Sequence, residues 1–173
     1  MRLVALFFVA LLALATAAGT GAAGTAPERS SAVAQLERLV LVELNSVRRT
    51  NGLSPLRASA PLSAAAQNHS RAMGRFGFFA HESRDGSPFH ERVRQFYGPK
   101  NGRWSVGENL LWATAGIAAK KAVELWMQSP GHRENILTPR WREIGLAAVS
   151  VAGAPGVFGG RDVVIVTTDF GVR

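Results

Sequence analysis

The apolar positions of this chain recur first at helical and then at extended spacing. Leu36, Leu39, Val40, Leu44 and Val47 return every three or four residues, interrupted only by the polar Glu43, and predict a helix. Ser30 or Ser31 is its expected cap and Asn51-Gly52 its stop. Ser59-Ala60-Pro61 starts a second helix with Leu62, Ala65, Ala66, His69 and Met73 along one face. Gly74, Gly77 and three phenylalanines end it in a tight apolar corner that delivers His81. Asp85-Gly86-Ser87-Pro88 reads as a turn into a third helix, striped by Phe89, Val93 and Phe96 and closed by Gly98-Pro99. Residues 104–112 form a short, mostly apolar segment around Glu108. A helix over about 116–127 carries Ile117, Val123, Leu125 and Trp126, and Ser129-Pro130 opens another, because Ser caps well and Pro fits a first turn. Thr138-Pro139 breaks the chain. Residues 144–151 and 163–168, rich in Val and Ile, read as strands. The Gly/Pro loop over 153–160 between them implies an antiparallel pair. The total is four or five helices and at least two strands in one mixed domain.

The N-terminus changes the cellular picture. Met1-Arg2 is a charged n-region, Leu3 to Leu14 an apolar run, and Ala15-Thr16-Ala17 a small-residue cleavage pattern. The run is short for a membrane span of about 20 residues. Residues 1–17 are therefore expected to be a signal peptide, 18–33 a Gly/Ala/Thr-rich linker, and 34–173 the folded domain. The expected location is secreted, extracellular or periplasmic. The chain has no cysteine, which excludes disulfide staples, thiolate zinc sites and a lipid-bearing cysteine. Its formal charge of +8 suits anionic cell-surface polymers or lipid head groups. The arginines are scattered rather than gathered in a run, so nucleic acid is not an expected partner.

Candidate chemistry rests on four histidines and one carboxylate. His69, on an apolar helix face, reads as a packed histidine, and His90, in a charged helix, as a surface one. His81 and His132 each follow a turn that presents them. A helix N-terminus favours the neutral form of His132. Glu108, in an apolar segment, needs a partner. Two histidines and a glutamate could form a three-ligand zinc site with an open position, or a hydrogen-bonded polar cluster that binds no metal. Spacing does not choose between them. No Gly-x-Ser-x-Gly elbow or phosphate loop is present.

Further residues carry a family resemblance. They are Leu44-Asn45 with Arg48 and Gly52-Leu53, Pro55-Leu56, Leu62, Ala66, His69-Ser70, Met73, Phe79-Ala80-His81 and Gly86. They continue with Val106-Gly107-Glu108-Asn109, Trp126-Met127, Ser129-Pro130-Gly131-His132-Arg133, Asn135-Ile136-Leu137, Glu143-Ile144-Gly145-Leu146 and Thr167 to Gly171. In this order they resemble the CAP superfamily (cysteine-rich secretory proteins, antigen 5, pathogenesis-related 1) in its short bacterial form. The resemblance implies an α+β fold, an α-β-α sandwich with a central antiparallel sheet flanked by helices. It also implies a cleft lined by two histidines and two acids, of which His81, Glu108 and His132 match three. Asn109 lies beside them. The place of the fourth acid falls at Ser129, and Glu124 is no clean substitute.

The leading expectation is a secreted, non-enzymatic binding module of the cell envelope or extracellular space, needing no cofactor. Its cleft would use His81, Glu108, His132, Ser129 and Asn109, and its partner would be a lipid or sterol-like ligand, an envelope polymer or a protein. The alternative is a metal-assisted hydrolase or peptidase. In it His81 and His132 would hold a divalent cation such as zinc, and Glu108 would ligate it or act as general base.

Overall fold

A computed structural model describes residues 26–100, 104–114 and 116–173. The expected signal peptide and most of the expected linker lie outside the described residues. Helix α1, Ala26–Thr50, begins ahead of the Ser30/Ser31 cap and inside the stretch read as linker. Pro27 falls in its first turn, where a missing N–H leaves no bond unmade. Strand β1 is the two-residue Arg57–Ala58. Helix α2, Ala60–Phe76, has Pro61 in its first turn and ends at Gly77, whose φ of 72° gives the left-handed cap. Helix α3 is Phe89–Phe96, and strand β2 is Ser105–Thr114. Helices α4, Ala119–Gln128, and α5, Pro130–Leu137, follow. Strands β3, Glu143–Ala154, and β4, Arg161–Val172, close the chain across a single 3-10 turn, Gly156–Phe158.

The sheet order is β1-β3-β4-β2. β3 and β4 pair antiparallel, as the Val/Ile runs predict, and β2 pairs antiparallel with β4. β1 pairs parallel with β3, so the sheet is mixed rather than purely antiparallel. Two residues suffice for that pairing because Arg57 N–H and Ser59 N–H donate to Arg142 O (3.0 Å) and Ile144 O (2.8 Å).

Alternation of side chains across the strands sorts the core into two layers. One face, with Ile144, Leu146, Ala148, Val164, Val166 and Phe170, packs on Leu36, Val40 and Leu44 of α1 and Ala122, Val123 and Trp126 of α4. The other face, with Val163 and Ile165, meets Met73 of α2, while Leu62 and Ala65 of α2 pack on Val93 of α3. Each such aliphatic side chain contributes about 1.5–3 kcal/mol when fully buried. Helix α2 lies unusually close to the sheet. A Cβ at Gly145 would stand 2.1 Å from the carbonyl carbon of Leu62, so that strand position has room only for hydrogen.

β2 is an edge strand, and side chains cover its outer edge. Trp126 Nε1 donates to Leu110 O (3.0 Å) and Asn135 Nδ2 to Glu108 O (3.0 Å), which blocks further strand addition there. Arg48 fixes α5 from below. Fully buried, it donates from Nη1 to Ile136 O (2.7 Å) and Thr138 O (3.0 Å), and from Nε to Ser54 O (3.0 Å). A guanidinium at a helix C-terminus also meets the negative end of the helix dipole.

Candidate functional site: a buried acid pair beneath a presented histidine

The phenylalanine corner delivers His81 as the sequence predicts, and His69 holds the corner in place. His69 is buried and its Nε2 lies 2.8 Å from Ala80 O, while burial pushes its pKa down. His90 is exposed on α3. His81 Nδ1 lies 2.9 Å from Glu108 Oε1, and the imidazole remains 47% exposed. Glu108 projects from β2 toward α2 and α3 and is buried, and its Oε2 accepts from Arg92 Nη2. Arg92 also donates from Nη1 to His81 O (3.2 Å) and Ser83 Oγ (3.3 Å), so one guanidinium clamps both the acid and the loop carrying the histidine. The hydrogen bond to Glu108 raises the His81 pKa above its ordinary value.

Asp169 is the second acid of this site. It stands directly opposite Glu108 in the β2–β4 register and is wholly buried. Neither of its carboxyl oxygens has a partner of good hydrogen-bond geometry. Burial, and next the adjacent Glu108 charge, push its pKa well above the usual carboxylate range. It is held as a neutral acid at pH values where an exposed aspartate is ionised. The sequence reading missed both Asp169 and Arg92. Asp169 follows a Val/Ile run on the chain and pairs with Glu108 only through strand register. Arg92 stands three residues after Phe89, beside Val93 on the buried stripe of α3, an unusual place for an arginine and the one local signal available.

Asn109, the next residue of β2, points to the opposite side of the sheet and serves the other histidine. Its Nδ2 donates to His132 O (3.0 Å), and its Oδ1 accepts from Asn135 Nδ2 (2.9 Å). Trp141 Nε1 in turn donates to Asn135 O (3.0 Å). A Cβ at Gly107 would stand 2.8 Å from Asn135 Oδ1, so glycine there leaves room for the latch. The Gly107-Glu108-Asn109 segment thus splits its work. Glu108 anchors His81 on one face, while Asn109 ties α5 and the His132 backbone to the strand on the other.

His132 is half-buried, and burial, then the nearby His81 charge, lowers its pKa. The neutral form expected from its helix-start position is therefore favoured mainly by desolvation. Ser129 joins α4 to α5 through its carbonyl, which accepts from Arg133 N–H (2.9 Å). Its hydroxyl makes no capping bond, contrary to the expected side-chain cap. Among the described residues, no group of three or more His, Asp or Glu side chains is placed to hold a metal ion, so His81, Glu108 and His132 do not converge as a three-ligand set. The acid beside Glu108 is Asp169 of the neighbouring strand, and Ser129 carries a hydroxyl at the place where the resemblance puts an acid.

A family model for the cysteine-rich secretory protein (CAP) family matches residues 41–167. The chain belongs to the CAP family. It is 35% identical over 136 residues to the YkwD protein of Bacillus subtilis, covering 78% of this chain and 49% of that protein. It is 26% identical over 110 residues to the membrane protein YlbC of the same organism, covering 64% of this chain and 30% of that protein. This CAP chain thus spans half or less of the length of these curated relatives. Its fold is similar to that of an extracellular SCP-domain protein of Bacillus anthracis (TM-score 0.66, 20% identity, 84% of this chain and 43% of that one). It is also similar to an outer surface protein of Borrelia burgdorferi (TM-score 0.63, 19% identity, 80% and 93%). No helix of the described residues is long and apolar enough to cross a membrane.

Proposed function

We propose that this CAP domain is an exported, non-enzymatic binding module of the cell envelope or extracellular space. One observation carries the reading: Glu108 is buried and both its carboxyl oxygens are already engaged, by His81 and Arg92. A general base needs a lone pair within reach of a substrate proton, and a metal ligand needs one within reach of the ion. Each Glu108 oxygen keeps a second lone pair, but the carboxylate is buried against His81 and Arg92, out of reach of a substrate proton or an ion in the cleft. It acts instead as the anchor that orients His81. With Nδ1–H held by Glu108, the half-exposed ring presents Nε2, which accepts a hydrogen bond from the partner when the ring is neutral and donates one when it is protonated. The partner is a lipid, polymer or protein of the envelope, and no resident metal is needed for this role. The apolar leader pattern, the formal charge of +8 and the extracellular or surface-exposed structural neighbours support an envelope setting.

The test pairs calorimetric zinc titration with peptide and cell-wall hydrolysis assays. Both are run on the wild-type protein and on the His81→Ala/His132→Ala double variant. The expected result is no turnover and no stoichiometric zinc site lost with the histidines. Turnover that vanishes in the double variant would overturn the reading in favour of a metal-assisted hydrolase.

A further inference from the structure

A second surface stands apart from the His81–Glu108 site, where the end of α2 meets the turn between β3 and β4. Val157 N–H donates to Gly77 O (3.0 Å), and a Cβ at Gly156 would stand 2.1 Å from that oxygen, so the two segments touch backbone to backbone. Three large apolar side chains emerge from this junction into solvent: Phe76 (44% exposed), Phe79 (36%) and Val157 (57%). Their base is rigid. Phe78 meets His69 edge to face at 5.9 Å, and buried Phe158 meets Trp112 at 5.4 Å.

The cations at this corner are arranged around the apolar groups. The Arg84 guanidinium lies 4.1 Å from the Phe76 ring centre and that of Arg75 5.1 Å. Arg161 joins them, donating to Phe158 O (3.1 Å). The acids nearby are turned elsewhere. Asp85 accepts from Ser87 N–H (3.0 Å) and Oγ–H (2.7 Å), and Asp162 accepts from Gly153 N–H (2.8 Å). A guanidinium stacked on an aromatic ring keeps its in-plane N–H donors free for phosphate while the ring stays available to hydrocarbon.

We propose that the Phe76–Phe79–Val157 corner, with Arg75 and Arg84, docks this protein on an anionic lipid membrane. Aromatic and aliphatic side chains insert at the boundary of head group and acyl chain, and arginines pair with lipid phosphates. Val157, a bare hydrocarbon at the tip, offers nothing to a hydrated polyanion, which favours a bilayer over a soluble acidic polymer. The inference goes beyond the reading of the His81 site and stands or falls separately from it.

The chain has no cysteine, so a single introduced one reports its own position. The protein without its expected signal peptide, residues 18–173, carries Val157→Cys labelled with a polarity-sensitive dye. A control carries the label at Val42→Cys, an equally exposed apolar position on α1. Each is mixed with vesicles of phosphatidylcholine alone or with phosphatidylglycerol. The 157 label should shift to the blue and be quenched by brominated lipid only with phosphatidylglycerol, while the 42 label stays in water. With the label at neither aromatic position, Phe76→Ser/Phe79→Ser should weaken partitioning about tenfold or more. Arg75→Gln/Arg84→Gln should weaken it several-fold and flatten its salt dependence, independently of the serine variant's folding. Equal responses at 42 and 157, partitioning unchanged by these substitutions, or an equal shift with soluble polyphosphate would each overturn the proposal.

Discussion

Asp169→Asn is the most informative single substitution, because it changes a proton and little else. In the wild type, a carboxyl with a raised folded pKa binds its proton more tightly when folded than when unfolded. The unfolded value is about 3.9. The stability this proton contributes is fully present below that pH and is lost as pH rises toward and through the folded value. Between the two, the folded state holds one proton more than the unfolded state, so unfolding free energy falls by about 1.4 kcal/mol per pH unit. Asparagine is neutral at every pH and close in shape, and its amide can donate to the neighbouring Glu108 carboxylate. It removes this slope without leaving a buried charge. Urea denaturation followed by tryptophan fluorescence at pH steps upward from 4.5 measures the effect. The stability of the variant minus that of the wild type should grow by about 1.4 kcal/mol per unit while the pH stays below the folded value. Contributions from other titrating groups enter both proteins and largely cancel in that difference. Parallel stability profiles would refute the reasoning and would mean that Asp169 is ionised in the fold.

Three further outcomes follow from the same geometry. Arg92→Met should destabilise by about 3–5 kcal/mol in the same denaturation assay, because Glu108 is then left buried without its cation; a loss under 1 kcal/mol would contradict the clamp. In a histidine NMR titration, His81 should titrate above 6.5 and His69 and His132 below it, through the Glu108 hydrogen bond and through burial respectively. The stabilisation His81 supplies is accordingly present below 6.5 and fades as pH rises through its folded value, and the reverse order of titration would contradict the assigned contacts. Asn135→Ala should lower stability by about 1–3 kcal/mol by leaving Asn109 Oδ1 and Glu108 O without their donor. It should also perturb the His132 resonances more than those of His81; an unchanged melting temperature would remove the latch from the account.

Much of the fold was legible along the chain because local chemistry set it. Pro61 after Ser59, the left-handed Gly77, and Pro130 after Ser129 punctuate helices wherever they occur in a fold, and the Val/Ile runs of β3 and β4 pair in the only way a short Gly/Pro turn allows. His81 and His132 stood out because each follows a turn that presents it, and Glu108 because a carboxylate amid apolar residues needs a partner. β2 was less legible, since Gly107, Glu108 and Asn109 break its apolar pattern for reasons that lie on other elements. β1 has two residues and exists only because β3 passes beside it. The partners of Glu108 depended on tertiary structure for the same reason. Arg92 reaches it from α3 and His81 from the loop after α2, and strand register alone places Asp169 opposite it. Sequence spacing could nominate three residues for a common site, but it could not show that the sheet lies between Glu108 and Asn109. Successive side chains of a strand point to opposite faces, so adjacent residues of one motif came to serve two histidines separately.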